Sequence, residues 1–408
     1  MYGQAGKAVF CRETFLEAVF SINPDKAPGP DGFSAGFYQS FWDIIGLDVS
    51  LDSKRFFESS FLPRQLNETH ICLIPKITSP RRVADYRPIA LCTVHYKIIA
   101  KVLTKRLQPL LAKLISPNQS AFVPNRAISD NVLITHEILH YLRTSDARVR
   151  VSMAVKTDMS KAYDRIEWTF LEAVLRRLGF HDKWTSWIMA CVSSVSYSFL
   201  VKGSPKGQVL PSQGLRQGDP LSPYLFILCT EVLSGLCQRA QDSGQLPGIK
   251  VAKGSPPINH LLFADDTMFF CRSNQKSCNR LMEIISRYGE ASGQVINFNK
   301  FAITFSNKAS LASKMAAKLT LGIAQEGGVG KYLGLPEHFG QRKKDIFTSI
   351  VDRIRQRSHS WTTRFLSAAG KQVLLKVVLA AMPLYAMSCF KIPLLLCKRI
   401  QSILTRFW

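Results

Sequence analysis

Apolar residues recur along this chain with two different periods. A spacing of three to four residues, which gives a helix one buried face, runs through 12–20, 34–60, 91–111, 128–142, 168–178, 277–291 and most of 340–408. Short apolar or alternating runs bounded by turn residues read as strands at 69–75, 151–157, 258–263, 267–271 and 294–305. Three breaks separate these runs. One is the Pro/Gly-rich loop 23–33, and another is the polar loop 76–85 with its three basic residues. The third is the Gly-rich segment 213–224, which feeds a helix with Ser222 as its expected N-cap and Pro223 at its first position. Helices alternating with a few antiparallel strands predict an α+β fold. No internal repeat or low-complexity tract interrupts the pattern.

Composition narrows the class. A chain of 408 residues is long for one core and points to two or three subdomains, and its 46% hydrophobic content excludes wholesale disorder. The net charge of +24 is unevenly placed: from Lys300 onward there are 18 Lys and Arg against 4 Asp and Glu. No fold requires that excess, whereas a polyanionic partner explains it. An acidic membrane surface is the competing explanation, but the basic residues are interleaved with apolar ones and form no juxtamembrane block. The ten cysteines form no CxxC pair and sit mostly in apolar runs, as reduced, buried thiols do. The apolar stretch 377–390 contains Pro383 and is too short for a span, so it reads as a packing helix. No leader opens the sequence, and both ends read as cut from something larger.

The candidate chemistry lies in three aspartates. Asp158 closes the strand-like run 151–157, and Asp265-Asp266 sits between two short apolar strands. Carboxylates projecting from strand ends into a cleft repel one another unless cations neutralise them, and their hard oxygens suit Mg²⁺. Two such ions about 3.5–4 Å apart are the device of polymerases and nucleases. Taken alone, Asp-Asp is equally ordinary turn chemistry. A rival motif is His136-Glu-Ile-Leu-His140, which matches the zinc-protease pattern H-E-x-x-H on an expected helix. No third-ligand segment follows it, and the polar face of an amphipathic helix accounts for it.

One ordered set of blocks decides between these readings. The set opens with Lys26-Ala-Pro-Gly-Pro-Asp-Gly32, Ile74-Pro-Lys76, Tyr86-Arg-Pro-Ile-Ala-Leu91 and Lys97-Ile-Ile-Ala-Lys101. Next come Gln119-Ser-Ala-Phe-Val123 with Arg126 and Asp130-Asn131, then Asp158-Met-Ser-Lys-Ala-Tyr-Asp164 and Gly214-Leu-Arg-Gln-Gly-Asp-Pro-Leu-Ser-Pro223. Phe263-Ala-Asp-Asp266, Asn297-Phe-Asn-Lys300 and Tyr332-Leu-Gly-Leu-Pro336 complete it. In this order they resemble the reverse transcriptase of plant-type LINE (non-LTR) retrotransposons over nearly the whole chain. Phe301 departs from the family, where Ser usually follows the Lys.

The resemblance implies a right-hand polymerase. Residues 1–66 extend the fingers, 67–150 form the fingers and 151–310 the palm, with a reverse transcriptase core of about 70–335 and a basic helical thumb over 330–408. It implies RNA-directed DNA synthesis from dNTPs, with two Mg²⁺ ions (Mn²⁺ being able to substitute) held by Asp158, Asp265, the weaker Asp266 and the Met159 carbonyl. Lys76, Arg87, Tyr163, Arg216, Gln217 and Gly218 are the implied dNTP contacts, with Tyr163 rejecting a 2′-hydroxyl. Lys300, Arg342, Lys343 and Lys344 are the implied nucleic-acid contacts. The implied partners are an RNA template, a DNA primer or target and dNTPs, without a membrane. The implied location is the nucleus after a cytoplasmic ribonucleoprotein phase. The family's usual endonuclease and RNase H blocks do not occur in the sequence. That keeps open a second reading, a decayed polymerase fold that only binds nucleic acid.

Overall fold

The computed structural model describes residues 10–146, 151–296, 301–327, 330–337, 344–359 and 365–408. Its strands are β1 (Glu68–Pro75), β2 (Tyr86–Cys92), β3 (Ser152–Thr157), β4 (Met159–Ser160), β5 (Ser196–Val201) and β6 (Ser204–Val209). They continue with β7 (His260–Phe263), β8 (Asp266–Arg272), β9 (Val295–Ile296), β10 (Ala302–Phe305), β11 (Lys331–Tyr332) and β12 (Leu335–Pro336). Two four-stranded sheets result, ordered β2-β1-β5-β6 and β10-β3-β8-β7. The first contains the parallel pair β1/β5, and the second is antiparallel throughout.

The second sheet lies within 151–310, the stretch expected to be the palm, and alternation along its strands explains its burial on both faces. Met153 and Val155 of β3, with Phe269 and Cys271 of β8, point into a core shared with helices Ser222–Asp242 and Gln275–Ser292. Ala154, Met268 and Phe270 point the other way, beneath Ile138, Leu139 and Leu142 of helix Ile128–Thr144. Phe269 and Phe270 are both fully buried, each worth about 1.5–3 kcal/mol in removed apolar surface. A one-residue slip of β8 would exchange the two faces, so this burial pins the register. Phe301, the residue that departs from the family pattern, is buried in the same core as Tyr288 and Ile285.

In the stretch expected to extend the fingers, helices Arg12–Phe20 and Trp42–Ser59 pack on the long helix Val94–Leu114, with helix Ala35–Ser40 between them. The thumb has its own core, where Phe347, Ile350 and Ile354 of helix Lys344–Ser358 meet Leu379 and the face Leu396, Ile400 and Ile403 of helix Leu394–Phe407. The hairpin β11–β12 joins thumb to palm: Glu337 pairs with Lys156 of β3 at 3.3 Å, and Tyr385 Oη donates to the Leu333 carbonyl at 2.6 Å. Mixed helix and sheet in this arrangement is the expected α+β fold.

Several local readings change. Residues 86–92 are strand, and the helix expected from 91 starts at Val94, where Thr93 Oγ1 accepts the Tyr96 N–H. Ser222 is already helical; Leu221 is the N-cap, its N–H held by Asp219 Oδ1. Strands β5 and β6 and helices Asp182–Ser193 and Leu311–Leu321 were not foreseen, and β5–β6 complete the fingers sheet from within the stretch assigned to the palm. The apolar run near the C-terminus is also longer than the sequence suggested. Ala368–Cys389 is one helical run of 22 residues with mean hydropathy 1.6, long and apolar enough by those measures to cross a membrane. Within the thumb it buries Leu379, Ala386 and Cys389.

Candidate active site

Asp158 is the first residue beyond β3, whose last pair is Thr157 opposite Thr267. Continuing that antiparallel register sets Asp158 beside Asp266, the first residue of β8. Asp265 occupies the two-residue turn Ala264-Asp265 that joins β7 to β8, closed by the pair Phe263–Asp266. Asp265 is exposed, and Asp158 and Asp266 are half-buried. Register thus sets Asp158 and Asp266 at the ends of neighbouring strands, with Asp265 on the adjoining turn. Met159, whose carbonyl is an expected oxygen donor, follows in β4 and pairs with Ile296 of β9. Among the described residues, no three His, Cys, Asp or Glu side chains stand close enough to hold a metal by themselves.

The turn carrying Asp265 is strained and braced. Ala264 has φ 54°, a left-handed backbone that costs an alanine about 1–2 kcal/mol. Its N–H donates to Gln119 Oε1 at 3.1 Å, and the same oxygen accepts the Ala121 N–H at 2.9 Å. Gln119 is fully buried, and its chain neighbours are tied to the strand behind the turn. Leu262 N–H donates to the Asn118 carbonyl, and the Leu262 carbonyl accepts from Ser120 N–H and Asn131 Nδ2. Arg126 then grips the carbonyls of Ile115, Ser116 and Gln119. Ser116 N–H donates to Glu231, whose carboxyl burial pushes up to about 7 against the pull of that N–H and of Arg126. Nothing local in the polar segment 116–126 marks Gln119 or Arg126: the partners Ala264 and Thr230 that give Gln119 its place lie far along the chain.

Tyr163 stacks on Phe226 with ring centroids 4.6 Å apart and planes at 9°. Its hydroxyl is shifted well upward, chiefly by burial and then by the nearby charge of Asp265. The influence of Asp265 on this hydroxyl sets Tyr163 on the side of the turn that carries the aspartates. The loop 213–218 lies along the same turn: Leu215 N–H donates to the Tyr163 carbonyl and Gly214 N–H to that of Ile166. Gly214, at φ 94°, would put a β-carbon 2.7 Å from the Asp164 carbonyl oxygen, so only glycine fits there. Gln217 Nε2 donates to Asp164 Oδ1 at 3.4 Å, and the Gln217 carbonyl accepts from Ala90 of β2. Gly218, at φ 109°, comes within 3.1 Å of the Ala90 carbonyl oxygen by the same measure. Burial raises the Asp164 carboxyl, while Gln217, Lys161 and Lys76 pull it back down, which places the fingers lysine near this turn. Lys76 and Arg87 are exposed on the β1–β2 hairpin, and Lys76 Nζ donates to the Ala84 carbonyl at 2.9 Å.

One expectation needs correction, and the rival motif falls away with it. Arg216 was expected to contact a nucleotide, but its guanidinium is buried. It pairs with Asp219 at 3.1 Å, donates to Asn67 Oδ1 and the Cys191 carbonyl, and lies 3.9 Å over the Tyr96 ring. Tyr96 Oη closes the network on Asp219 at 2.6 Å. Arg216 therefore locks the loop to the fingers, while Gln217 beside it is half-buried. The zinc-protease pattern also dissolves: His136 packs edge-on against Phe390 of the thumb at 5.0 Å, and His140 is exposed. Lys300, Arg342 and Lys343 lie outside the described residues, and Lys344 opens helix Lys344–Ser358.

The family profile "Reverse transcriptase (RNA-dependent DNA polymerase)" matches residues 74–347. An uncharacterized 149 kDa protein of transposon TX1 from Xenopus laevis is 27% identical over 379 residues, covering 91% of this chain and 28% of that protein. The Pol polyprotein of the retrotransposable element R2DM from Drosophila melanogaster is 26% identical over 252 residues, 62% of this chain and 22% of that one. An uncharacterized mitochondrial protein of Arabidopsis thaliana shares 75% identity over 69 residues, 17% of this chain and 57% of its own length. The chain thus spans less than a third of the two longer relatives. Among solved structures, telomerase from Candida tropicalis in complex with a telomeric RNA fragment aligns with a TM-score of 0.47 at 13% identity, covering 92% of this chain and 57% of that one. With its family profile matched over residues 74–347 and relatives among transposon and retrotransposable-element proteins, the chain belongs to the reverse transcriptase family, in its non-LTR retrotransposon branch.

Proposed function

We propose that this chain extends a primer 3′-hydroxyl with dNTPs on an RNA template, using Asp158 and Asp265, with Asp266, to hold divalent cations. The observation that carries the reading is the strand register that sets Asp158 beside Asp266, with Asp265 on the adjoining turn. Mg²⁺ in polymerase-type sites takes one or two protein carboxylates and completes its shell with substrate phosphates and water. A pair of hard, accessible carboxylates without a closed protein cage fits that donor set. When bound, such ions lower the pKa of the attacking hydroxyl and neutralise the triphosphate.

The protein's own contribution is positioning. The β3–β8 register holds the carboxylates at fixed spacing. Tyr163, backed by Phe226, presents a rigid ring edge where a ribose 2′-hydroxyl would clash. Gln217 and the backbone of Gly218 offer hydrogen-bonding groups to the incoming nucleotide, and Lys76 and Arg87 supply charge for its β- and γ-phosphates.

Primer extension with oligo(dT) on poly(rA), with and without Mg²⁺, tests this. Wild-type protein should extend only with Mg²⁺, and Asp158→Asn or Asp265→Asn should lose extension by about 10³-fold or more. Their affinity for the duplex should change little. Extension by Asp265→Asn at the wild-type rate would remove Asp265 from the site. Tight duplex binding with no extension by the wild type would instead favour a polymerase fold that only binds nucleic acid.

A further inference from the structure

The two-residue turn Ala264-Asp265 poses a problem that the turn cannot solve alone. Its first residue is an alanine in left-handed backbone, only 9% exposed. In a hairpin closed by the Phe263–Asp266 pair, the N–H of that alanine has no partner in the ladder. A buried N–H without an acceptor is costly, and the turn would relieve it by opening toward water. Opening would swing the next residue, Asp265.

One atom answers this need. Gln119 Oε1 lies 3.1 Å from the Ala264 nitrogen and 2.9 Å from that of Ala121. The other end of the amide, Nε2, donates to Thr230 Oγ1 at 3.4 Å on the core helix Ser222–Asp242. The Gln119 carbonyl is itself held by Arg126 at 2.6 Å. A single buried amide thus ties the finger segment, the palm turn and the core helix together.

We infer that Gln119 is a positioning residue for Asp265: its side-chain oxygen fixes the turn so that the Asp265 carboxylate is pre-set beside Asp158 before substrate arrives. The inference rests on the reading of Asp265 as a metal-holding group. It identifies Gln119 as a residue that acts through another, since its amide is fully buried and bonds to Ala264, Ala121 and Thr230.

Gln119→Met keeps the length of the side chain and removes the acceptor, whereas Gln119→Glu keeps an acceptor in the same place. Thr230→Val removes only the far anchor. In single-turnover extension Gln119→Met should lose about 10- to 100-fold in rate, the scale of a small misplacement of a reacting group. Its KM for dNTP and its affinity for duplex should stay within about twofold, since the binding contacts are intact. Gln119→Glu should recover most of the rate, and Thr230→Val should lose little. Direct Mn²⁺ binding, followed by electron paramagnetic resonance without nucleotide, should weaken in Gln119→Met and recover in Gln119→Glu.

Hydrogen exchange gives a readout independent of activity. The Ala264 amide of the wild type should be as protected as the ladder amides of β8, and its peptide should exchange faster in Gln119→Met while peptides of the first sheet do not. An unprotected Ala264 amide in the wild type would overturn the inference even if the variant failed to fold. So would equal losses in Gln119→Met and Gln119→Glu. A wild type that never extends a primer would instead sink the polymerase reading, leaving the exchange result to judge the brace alone.

Discussion

Tyr163 shows how one side chain takes two tasks from one position. Its ring stacks flat on Phe226, and its hydroxyl end lies within the field of Asp265. The stacking fixes the ring, and a fixed ring can discriminate between sugars. Tyr163→Ala should therefore raise the ratio of kcat/KM for ribonucleotides to that for deoxyribonucleotides by about 10-fold or more, since discrimination resides in that ratio. An unchanged ratio in a folded variant would leave the ring a packing role only. Glu231 makes a different residue-scale case. Burial raises its carboxyl from 4.5 to about 7, against the pull of Ser116 and Arg126. An acid raised in the folded state contributes stability that is present below about pH 4.5 and lost as pH climbs through 7. Glu231→Gln removes that loss. The variant should be more stable than wild type by about 1–2 kcal/mol at pH 8, the full shift being discounted because the side chain is part-exposed. The gap should close by pH 5, and thermal melts at the two pH values measure it. A wild type that is the more stable at pH 8 would mean that the Arg126 attraction outweighs burial.

At the scale of elements, the Gly-rich loop is where sequence and structure part most usefully. Its motif and its two positive-φ glycines were legible, because glycine at a close approach leaves a local mark. The burial of Arg216 was not, since its partners Asn67, Tyr96 and Cys191 are distant in sequence and come from three elements. The same reason hid β5 and β6. Every residue of β6 is exposed, so no apolar alternation exists to be read, and β5 is strand because β1 lies alongside it. The palm strands, by contrast, carry their own pattern, and the aspartates at their ends could be placed from it. Arg216→Met should separate a locking role from a nucleotide-binding one. It leaves Asp219 buried beside Tyr96 without its cation, a loss of about 3–5 kcal/mol in unfolding free energy. Arg216→Lys should recover little of it, because one ammonium cannot span the carboxylate, the amide and the carbonyl together. If urea midpoints stay at wild-type values while the KM for dNTP rises, the guanidinium reaches substrate after all.

Across the whole molecule, charge and fold answer to different demands. The palm closes its cores with apolar residues, while the excess of positive charge accumulates toward the C-terminus. The thumb core needs only one face of each helix: Phe347, Ile350, Val351 and Ile354 on helix Lys344–Ser358, and Leu396, Ile400 and Ile403 on helix Leu394–Phe407. The remaining faces carry Arg353, Arg357, Lys398 and Arg399, all exposed. Composition alone could indicate a polyanionic partner; it could not say which basic residues face outward, because that depends on how two amphipathic helices pair. If those faces grip the phosphates of a template–primer duplex, each contact releases counterions and adds roughly 0.7–0.9 to the slope of log K against log salt. Replacing Arg353, Arg357, Lys398 and Arg399 together with Ala should then lower that slope by up to about 3 and weaken unrelated duplexes equally. Single-turnover extension from pre-bound duplex should change much less, since these helices carry none of the cleft residues. A variant that keeps the full salt slope would assign the four residues to solvation of the thumb and move the grip to another basic face.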